Sequence, residues 1–255
     1  MILSKPWLAV AVAACAFTVA APLQASVVIA GTRIIYDQKE REVTVRLMNQ
    51  GQLPGLVQAW IDDGDEKADP ATIKVPFTLS PPMVRIEPDK GQSLRLIYTQ
   101  APLPADKESV FWLNVLEVQP RPKTPDVNML LFAYRTRIKL FFRPSGLAGK
   151  PEDAPAKLQW SVGTDPKGGR ILHVSNPTAY HVSFSGTGVT IGGVDYGNHD
   201  GGMVNPGASA DFPMKPEKDP VPATSPRDVA RPVHFSWIND YGSDVAAQAP
   251  LEGGS

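Results

Sequence analysis

Two cations lie within apolar strand segments of this sequence. Arg33 is in "GTRIIYD" and Lys139 is in "RIKLFF". Each could face solvent at a strand edge. A pair of cations in a cleft would instead bind an anion through charge-assisted hydrogen bonds, and a peptide C-terminal carboxylate is a natural ligand. The two residues are far apart in the chain, and the sequence alone does not show that they meet in space.

No other residue types form a catalytic constellation. The histidines, His173, His181, His199 and His234, have no HxH or HExxH spacing, so structural or surface roles are expected for them. The acidic stretch "DDGDEKAD" lacks the ligand spacing of a calcium loop, and we interpret it as a solvated hairpin turn. No G-x-S-x-G nucleophile elbow is present. The sequence therefore predicts neither an enzyme nor a metal or cofactor site.

The composition excludes several classes of protein. Lys plus Arg is 25 and Asp plus Glu is 26 in 255 residues, so no net charge favours nucleic acid or acidic membranes. The 26 prolines and 21 glycines suit many short strands joined by turns. Cys15 is the only cysteine, and the chain after it can form neither a disulfide nor a zinc–thiolate site.

The N-terminus has the pattern of a secretory signal peptide. Lys5 precedes an apolar run, and the small residue Ala25 precedes Ser26. This pattern predicts export with cleavage after Ala25. A lipoprotein is the alternative, because "VAAC" ends at Cys15. The sequence after Cys15 stays apolar, however, where a lipoprotein would turn polar.

Period-two alternation predicts an all-β protein. The segments "VTVRLMN", "GLVQAWI", "SLRLIY" and "FWLNVLEV" alternate or are wholly apolar, and no helical apolar stripe lasts three turns. After Pro144 the hinge-like "SGLAGKPEDAPA" precedes a second series of strands. We predict a signal peptide at 1–25, β domains at 26–146 and 147–245, and a disordered tail at 246–255.

The stretch "NMLLFAYRTRIKLFFRP" is an unusually long strand whose first half is apolar on both faces. Periodicity alone is compatible with a fully buried central strand.

Eight segments resemble, in order, those of the periplasmic pilus chaperones of the chaperone–usher pathway, the PapD-like family. They are "GTRIIYD", "LVQAWIDD", "PFTLSPPMVRIEP", "FWLNV", "RIKLFFRP", "NPTAYHVSF", "MVNPGASADF" and "INDYG". They extend over nearly all of the chain that follows the predicted cleavage site.

The resemblance implies two immunoglobulin-like β-sandwich domains in a boomerang arrangement with an interdomain cleft. Members are not enzymes and use no cofactor. They bind pilus subunits in the periplasm by donor-strand complementation and deliver them to an outer-membrane usher. No nucleic acid and no membrane insertion are implied. Self-association through the exposed strand is also expected.

The resemblance also implies the site residues. Three alternate residues would fill the groove of the subunit: Leu130, Phe132 and Tyr134. Their neighbours would face the chaperone's own core: Met129, Leu131 and Ala133. The subunit's C-terminal carboxylate would be anchored by Arg33 and Lys139. An interdomain salt-bridge cluster would contain Glu108, Arg143 and Asp240.

Other classes of protein remain as alternatives. An exported adhesin or pilus subunit would usually carry a disulfide and a donor extension, which this sequence lacks. A secreted hydrolase would need a catalytic constellation. A lectin-like module is compatible with the fold, but the tryptophans in the strands are expected in the core: Trp60, Trp112, Trp160 and Trp237.

Overall fold

The computed structural model describes residues 26–120, 132–217 and 232–251. The first domain contains these strands within those ranges: β1 (Val27–Ile29), β2 (Arg33–Asp37), β3 (Val43–Asn49), β4 (Gly55–Asp62), β5 (Phe77–Ser80), β6 (Met83–Ile86), β7 (Gly91–Tyr98), β8 (Ser109–Val118) and β9 (Ala133–Arg143).

The strands of the first domain form two sheets that face each other across one core. One sheet has the order β1-β3-β7-β5 and the other has the order β2-β9-β8-β4-β6. The alternate residues that the sequence pattern placed on one face are buried, among them Leu47, Leu94, Leu96, Leu113 and Leu140. Because both sheets contribute to this cluster, burial of their inner faces stabilises the sandwich.

Strand β9 is paired unequally on its two sides. On one side β8 pairs with it from Ala133 to Phe142 in an unbroken antiparallel register. On the other side the short strand β2 runs parallel to it and pairs only with Lys139–Arg143. Among the residues that the structure describes, the segment 133–138 therefore has no strand partner on its β2 side.

The second domain begins with two 3₁₀ turns, Pro151–Asp153 and Pro155–Lys157. Its described strands are β10 (Gln159–Thr164), β11 (Arg170–Ser175), β12 (Val182–Ile191), β13 (Val194–Asn198), β14 (Gly202–Val204), β15 (Ser209–Pro213), β16 (Lys215–Pro216), β17 (Val233–Ile238) and β18 (Asp244–Ala249). One sheet has the order β10-β11-β15 and the other β16-β13-β12-β17-β18, with β14 also pairing with β12.

The second core is built around aromatic side chains. Trp160 is fully buried, and its ring centroid lies 5.0 Å from that of Phe235 and 5.5 Å from that of Phe184. Phe184 also makes an edge-to-face contact with Phe212. These contacts join the two sheets of this domain, since Trp160 and Phe212 belong to one sheet and Phe184 and Phe235 to the other.

The all-β fold with two sandwich domains is confirmed, but two details differ from the predictions. Strand β18 continues to Ala249, pairing with Val233 of β17. Residues 246–249 are therefore ordered in a strand rather than part of a disordered tail. Trp60 and Trp112 are only half-buried, because they lie on the outer face of the five-stranded sheet instead of in the core.

No helix in the described ranges is long and apolar enough to cross a membrane.

Candidate functional site

The two cations singled out in the sequence lie side by side in the first domain. In the parallel pairing of β2 with β9, Arg33 is the direct register partner of Lys139. Both side chains reach the second domain. Arg33 Nη1 donates a 2.8 Å hydrogen bond to the carbonyl oxygen of Ile238, and Lys139 Nζ donates a 3.1 Å hydrogen bond to Ser183 Oγ. The pair therefore lies at the junction of the two domains.

Burial disfavours the charged form of both side chains. Burial, and secondly the charge of Arg33, lower the pKa of Lys139 to about 8. Burial also lowers the pKa of Arg33, although Asp240 and Asp244 oppose this effect. The guanidinium lies 5.8 Å from the ring centroid of Phe141, which covers part of it.

The cation pair has unused capacity to bind an anion. Among the described residues neither Arg33 nor Lys139 forms an ion pair with a carboxylate. Within the same ranges Arg33 Nε is buried without a hydrogen-bond partner. An anionic oxygen at this point would satisfy the unpaired donor and restore the charge balance of both side chains.

The face of β9 that leads to the expected donor residues is the inner face of the sandwich. Ile138, Leu140 and Phe142 belong to the core, and the unbroken register with β8 places Tyr134 on the same side. The ring centroids of Tyr134 and Phe132 lie 6.2 Å apart, and Phe132 is 45% exposed. Phe132 thus presents apolar surface beyond the end of the domain's own core.

The expectation that Ala133 faces the protein's own core is wrong, because Ala133 is exposed. Period-two alternation shows which residues share a face but not which face lies inward. The buried residues Ile138 and Leu140 show which face of β9 lies inward. The expected donor residue Tyr134 shares that inward face, because it is separated from Ile138 by an even number of positions. Leu130, Met129 and Leu131 lie outside the described residues.

A polar network holds the outer face of the segment with the open edge. Asp62, which is 1% exposed, accepts hydrogen bonds from Arg137 Nη2 at 2.6 Å and from Asn114 Nδ2 at 2.6 Å. Arg135 Nε donates a 2.9 Å hydrogen bond to Asn114 Oδ1. Burial raises the pKa of Asp62, but these hydrogen bonds from Arg137 and Asn114 outweigh it and hold the pKa below its ordinary value.

Two tryptophans complete this network. The guanidinium of Arg137 lies 4.5 Å from the ring centroid of Trp112, and that of Arg135 lies 5.5 Å from that of Trp60. Such cation–π contacts restrain long side chains on a sheet surface. The sequence pattern does not reveal this arrangement, because the acidic stretch that begins at Asp62 has the composition of a solvated turn, whereas Asp62 itself is the buried end of β4.

The three residues of the expected interdomain cluster lie together at the domain junction. Arg143 Nη2 lies 2.7 Å from Glu108 Oε1, and Arg143 Nη1 lies 2.8 Å from Asp240 Oδ2. Glu108 is buried, whereas Asp240 is partly exposed. Because Asp240 comes from the second domain, Arg143 connects the two domains through charge-assisted hydrogen bonds.

His181 also belongs to this cluster, although its sequence context gave no indication of it. The backbone N–H of His181 donates a 2.8 Å hydrogen bond to Glu108 Oε2, and its Nδ1 lies 3.2 Å from the same atom. The backbone N–H of Glu108 donates to the carbonyl oxygen of Ala179 at 2.9 Å. Glu108 is thus held by second-domain backbone as well as by Arg143. No group of residues in the described ranges could hold a metal ion.

Comparison with known proteins identifies the family. Residues 26–148 match the model of the pili and flagellar-assembly chaperone PapD N-terminal domain. Residues 153–249 match the model of the pili assembly chaperone PapD C-terminal domain. The chain therefore belongs to the PapD family of pilus assembly chaperones, and the resemblance seen in the sequence is confirmed.

Individual relatives agree with this assignment. The chain is 44% identical over 231 residues to the probable fimbrial chaperone YadV of Escherichia coli K12, covering 89% of this chain and 90% of that protein. The crystal structure of YadV is similar with a TM-score of 0.71 at 42% identity, covering 89% of this chain and all of that one (100%). A chain in the solved complex of the Salmonella enterica SafB chaperone with the SafA pilin is similar with a TM-score of 0.70 at 27% identity, covering 91% and 99% of the two chains. Membership of this family replaces the alternative of an exported adhesin or pilus subunit.

We expect Lys139→Met to stabilise the free protein at pH 7 by about 1 kcal/mol, since the buried charge is removed while the hydrogen bond to Ser183 is lost. The destabilising charge is present below the lowered pKa of about 8 and is relieved as the pH rises towards 10.5, the ordinary value for lysine. The advantage of the variant should therefore shrink above pH 8.

Urea unfolding of the wild type and Lys139→Met at pH 7 and pH 9.5 measures this difference, with Lys90→Met as the control at an exposed lysine. A variant that is less stable than the wild type at pH 7 would contradict the prediction.

We expect Arg143→Ala to destabilise the protein by about 3 kcal/mol, because it leaves the buried carboxylate of Glu108 without its cation. It should also loosen the orientation of the domains, which small-angle scattering measures. Arg85→Ala removes an exposed pair with Glu87 and should change neither quantity. Unchanged scattering by Arg143→Ala would show that the cluster does not orient the domains.

Proposed function

We propose that this protein is a periplasmic chaperone that binds pilus subunits by lending them β9 as a strand, and that it delivers them to an outer-membrane usher. The observation that carries the proposal is the open edge of β9 at 133–138, which ends beside two cations without a carboxylate partner in the described chain. The binding of the SafA pilin by the related SafB chaperone supports the same partner class.

The open edge supplies the backbone hydrogen bonds of the complex. A pilus subunit with an incomplete sheet exposes unpaired N–H and C=O groups, which makes it prone to aggregate. Adding β9 to that sheet satisfies these groups through β-augmentation. The fixed pairing with β8 keeps the lent strand extended before binding, which lowers the entropy cost of association.

Alternate side chains supply the apolar contacts. Tyr134 lies on the inner face of β9 and Phe132 directly precedes the strand, and Leu130 and Phe132 have the same parity as Tyr134 in the sequence. In the complex these side chains would fill the groove of the subunit, each contributing about 1.5–3 kcal/mol before the ordering costs. Phe132 and Tyr134 are bulky, so the groove of a matching subunit must be wide at these two positions.

The cation pair fixes the register of the lent strand. A C-terminal carboxylate of the subunit would accept hydrogen bonds from Lys139 Nζ and from the Arg33 guanidinium, whose Nε is unpaired in the described chain. A slip of one residue would turn every donor side chain to the wrong face. The anchor would therefore determine the register in which β9 pairs with the subunit, as well as the affinity of the complex.

The remaining parts of the proposal rest on the sequence and the family. Residues 1–25 would be a signal peptide cut after Ala25, which would place the protein in the periplasm. The protein would act without catalysis and without a cofactor. The free chaperone would protect its open edge by self-association, since an exposed strand pairs readily with a second copy.

We expect Arg33→Ala and Lys139→Ala to fold but to lose subunit capture, because each removes one half of the carboxylate anchor. The test is a pull-down of each tagged protein from periplasm that contains a pilin encoded at the same locus, followed by mass spectrometry. Lys90→Ala, at an exposed lysine, is the matched control and should retain a one-to-one complex. Undiminished capture of the pilin by both variants would contradict the proposed role of Arg33 and Lys139 as a carboxylate anchor.

We expect Phe132→Asp to abolish capture and Ala133→Asp to preserve most of it. The same charge is introduced at adjacent residues, but only Phe132 lies on the face that would enter the subunit. Co-purification with the same pilin compares the two variants, and circular dichroism checks that both are folded. Equal loss in both variants would indicate that the strand is not lent through its inner face.

A further inference from the structure

Glu117 is a buried carboxyl group that the proposed capture mechanism does not use. It is 2% exposed and lies on β8 at the end of the first sandwich. Its Oε2 accepts a 2.9 Å hydrogen bond from the backbone N–H of Val27. Its Oε1 accepts hydrogen bonds from Ser26 Oγ and, at 2.6 Å, from Gln119 Nε2. Both oxygens act as acceptors, which is the pattern of an ionised carboxylate.

The donors around Glu117 are all neutral. Within the described ranges no Lys, Arg or His side chain forms an ion pair with it. An isolated charge at this depth is costly unless a cation or strong charge-assisted hydrogen bonds compensate it. One positive group at this site would therefore neutralise the charge of the Glu117 carboxylate.

The structure makes space for Ser26 at this carboxyl group. A Cβ atom at Gly51 would lie 2.4 Å from Ser26 Cβ, so a larger residue there would displace Ser26. A Cβ atom at Gly55 would lie 3.2 Å from Glu117 Oε1. The carbonyl oxygen of Ser26 also accepts a 2.7 Å hydrogen bond from the backbone N–H of Gln50. Ser26 is thus held by three hydrogen bonds: its Oγ donates to Glu117 and accepts from Gln119, and its carbonyl oxygen accepts from Gln50.

The backbone nitrogen of Ser26 must lie near the carboxylate. Three bonds separate it from Ser26 Oγ and three from the nitrogen of Val27, and both of those atoms are hydrogen-bonded to Glu117. Covalent geometry therefore keeps it within about 6 Å of a carboxylate oxygen. At that separation an opposite charge stabilises a buried carboxylate substantially.

We propose that Glu117 is the binding site for the α-ammonium group of the processed N-terminus at Ser26. The proposal rests on the proposed cleavage after Ala25. In that step a signal peptidase adds water across the Ala25–Ser26 peptide bond, so that the new carboxylate leaves with Ala25 and the new amine stays on Ser26. The amine is protonated near neutral pH and becomes the counter-charge of Glu117. Processing thereby completes the end of the sandwich.

This site adjoins the strand that captures subunits. Glu117 is the direct register partner of Tyr134 in the pairing of β8 with β9. The bound N-terminus therefore secures the sheet at the point where the donor face of β9 begins.

The test is a double-mutant cycle with four proteins, which begin at Ser26 or retain Ala25 and carry either Glu117 or Glu117→Gln. Each is released from an N-terminal fusion by a protease that leaves the chosen first residue. With Glu117, we expect the thermal midpoint of the Ser26 protein to exceed that of the Ala25 protein by at least about 3 °C. With Glu117→Gln this difference should disappear. The exposed substitution Glu87→Gln is the control and should leave the difference unchanged.

A second measurement needs no substitution at Glu117. Limited labelling with an amine-reactive reagent, read by mass spectrometry, should modify the α-amine of the native Ser26 protein several-fold less than that of the Ala25 protein. Equal midpoints with equal labelling would overturn the proposal, as would a difference in midpoint that persists in Glu117→Gln. An exported protein that does not begin at Ser26 would also overturn it. These readouts use the free chaperone, so they are independent of subunit capture.

Discussion

The unequal pairing of β9 is the constraint on which the rest of this structure depends. Strand β2 has five residues and pairs only with Lys139–Arg143 of β9. In the described chain, residues 133–138 of β9 therefore have one open edge. An open edge invites aggregation, and charged side chains close to it are a common protection. Arg135 and Arg137 supply such charges, and their contacts with Asp62, Asn114 and two tryptophans keep them on the outer face. The inner face of the same segment carries Tyr134, Thr136 and the core residue Ile138.

The cation pair shows how the two domains together create a site that neither contains alone. Arg33 and Lys139 belong to the first domain, whereas their present acceptors, the carbonyl of Ile238 and the hydroxyl of Ser183, belong to the second. Holding these charges partly buried costs stability in the free protein, and a bound anion would offset that cost. The cluster of Arg143 with Glu108 and Asp240 matters for this reason, since the geometry of the cations depends on how the domains meet.

The sequence predicted those features that depend on local periodicity. Alternation identified the strands and the core residues such as Leu94 and Leu113, because burial on one face of a sheet leaves a period of two. It could not determine the phase at Ala133, where both faces are apolar. It also missed Asp62 and His181, whose partners are distant in the chain and meet only in the folded sheet or across the domains. Residue type alone singled out Arg33 and Lys139, whereas the donor residues and the interdomain cluster came from resemblance to a family.

Three different environments follow one another along the inner face of β9 and the residue that precedes this strand. Ile138 packs in the closed core, Tyr134 lies opposite the buried Glu117, and Phe132 is exposed. In a protein that lends a strand, the apolar core must end at a defined residue. Otherwise the apolar donor residues would pack against the protein's own core and would not be available to a partner. Glu117 and the backbone of Ser26 and Val27 supply that end, since they place a hydrogen-bonded polar group where the apolar core stops. In the proposed mechanism, the position of Glu117 on β8 would separate the side chains that stabilise the chaperone from those that a subunit would bind.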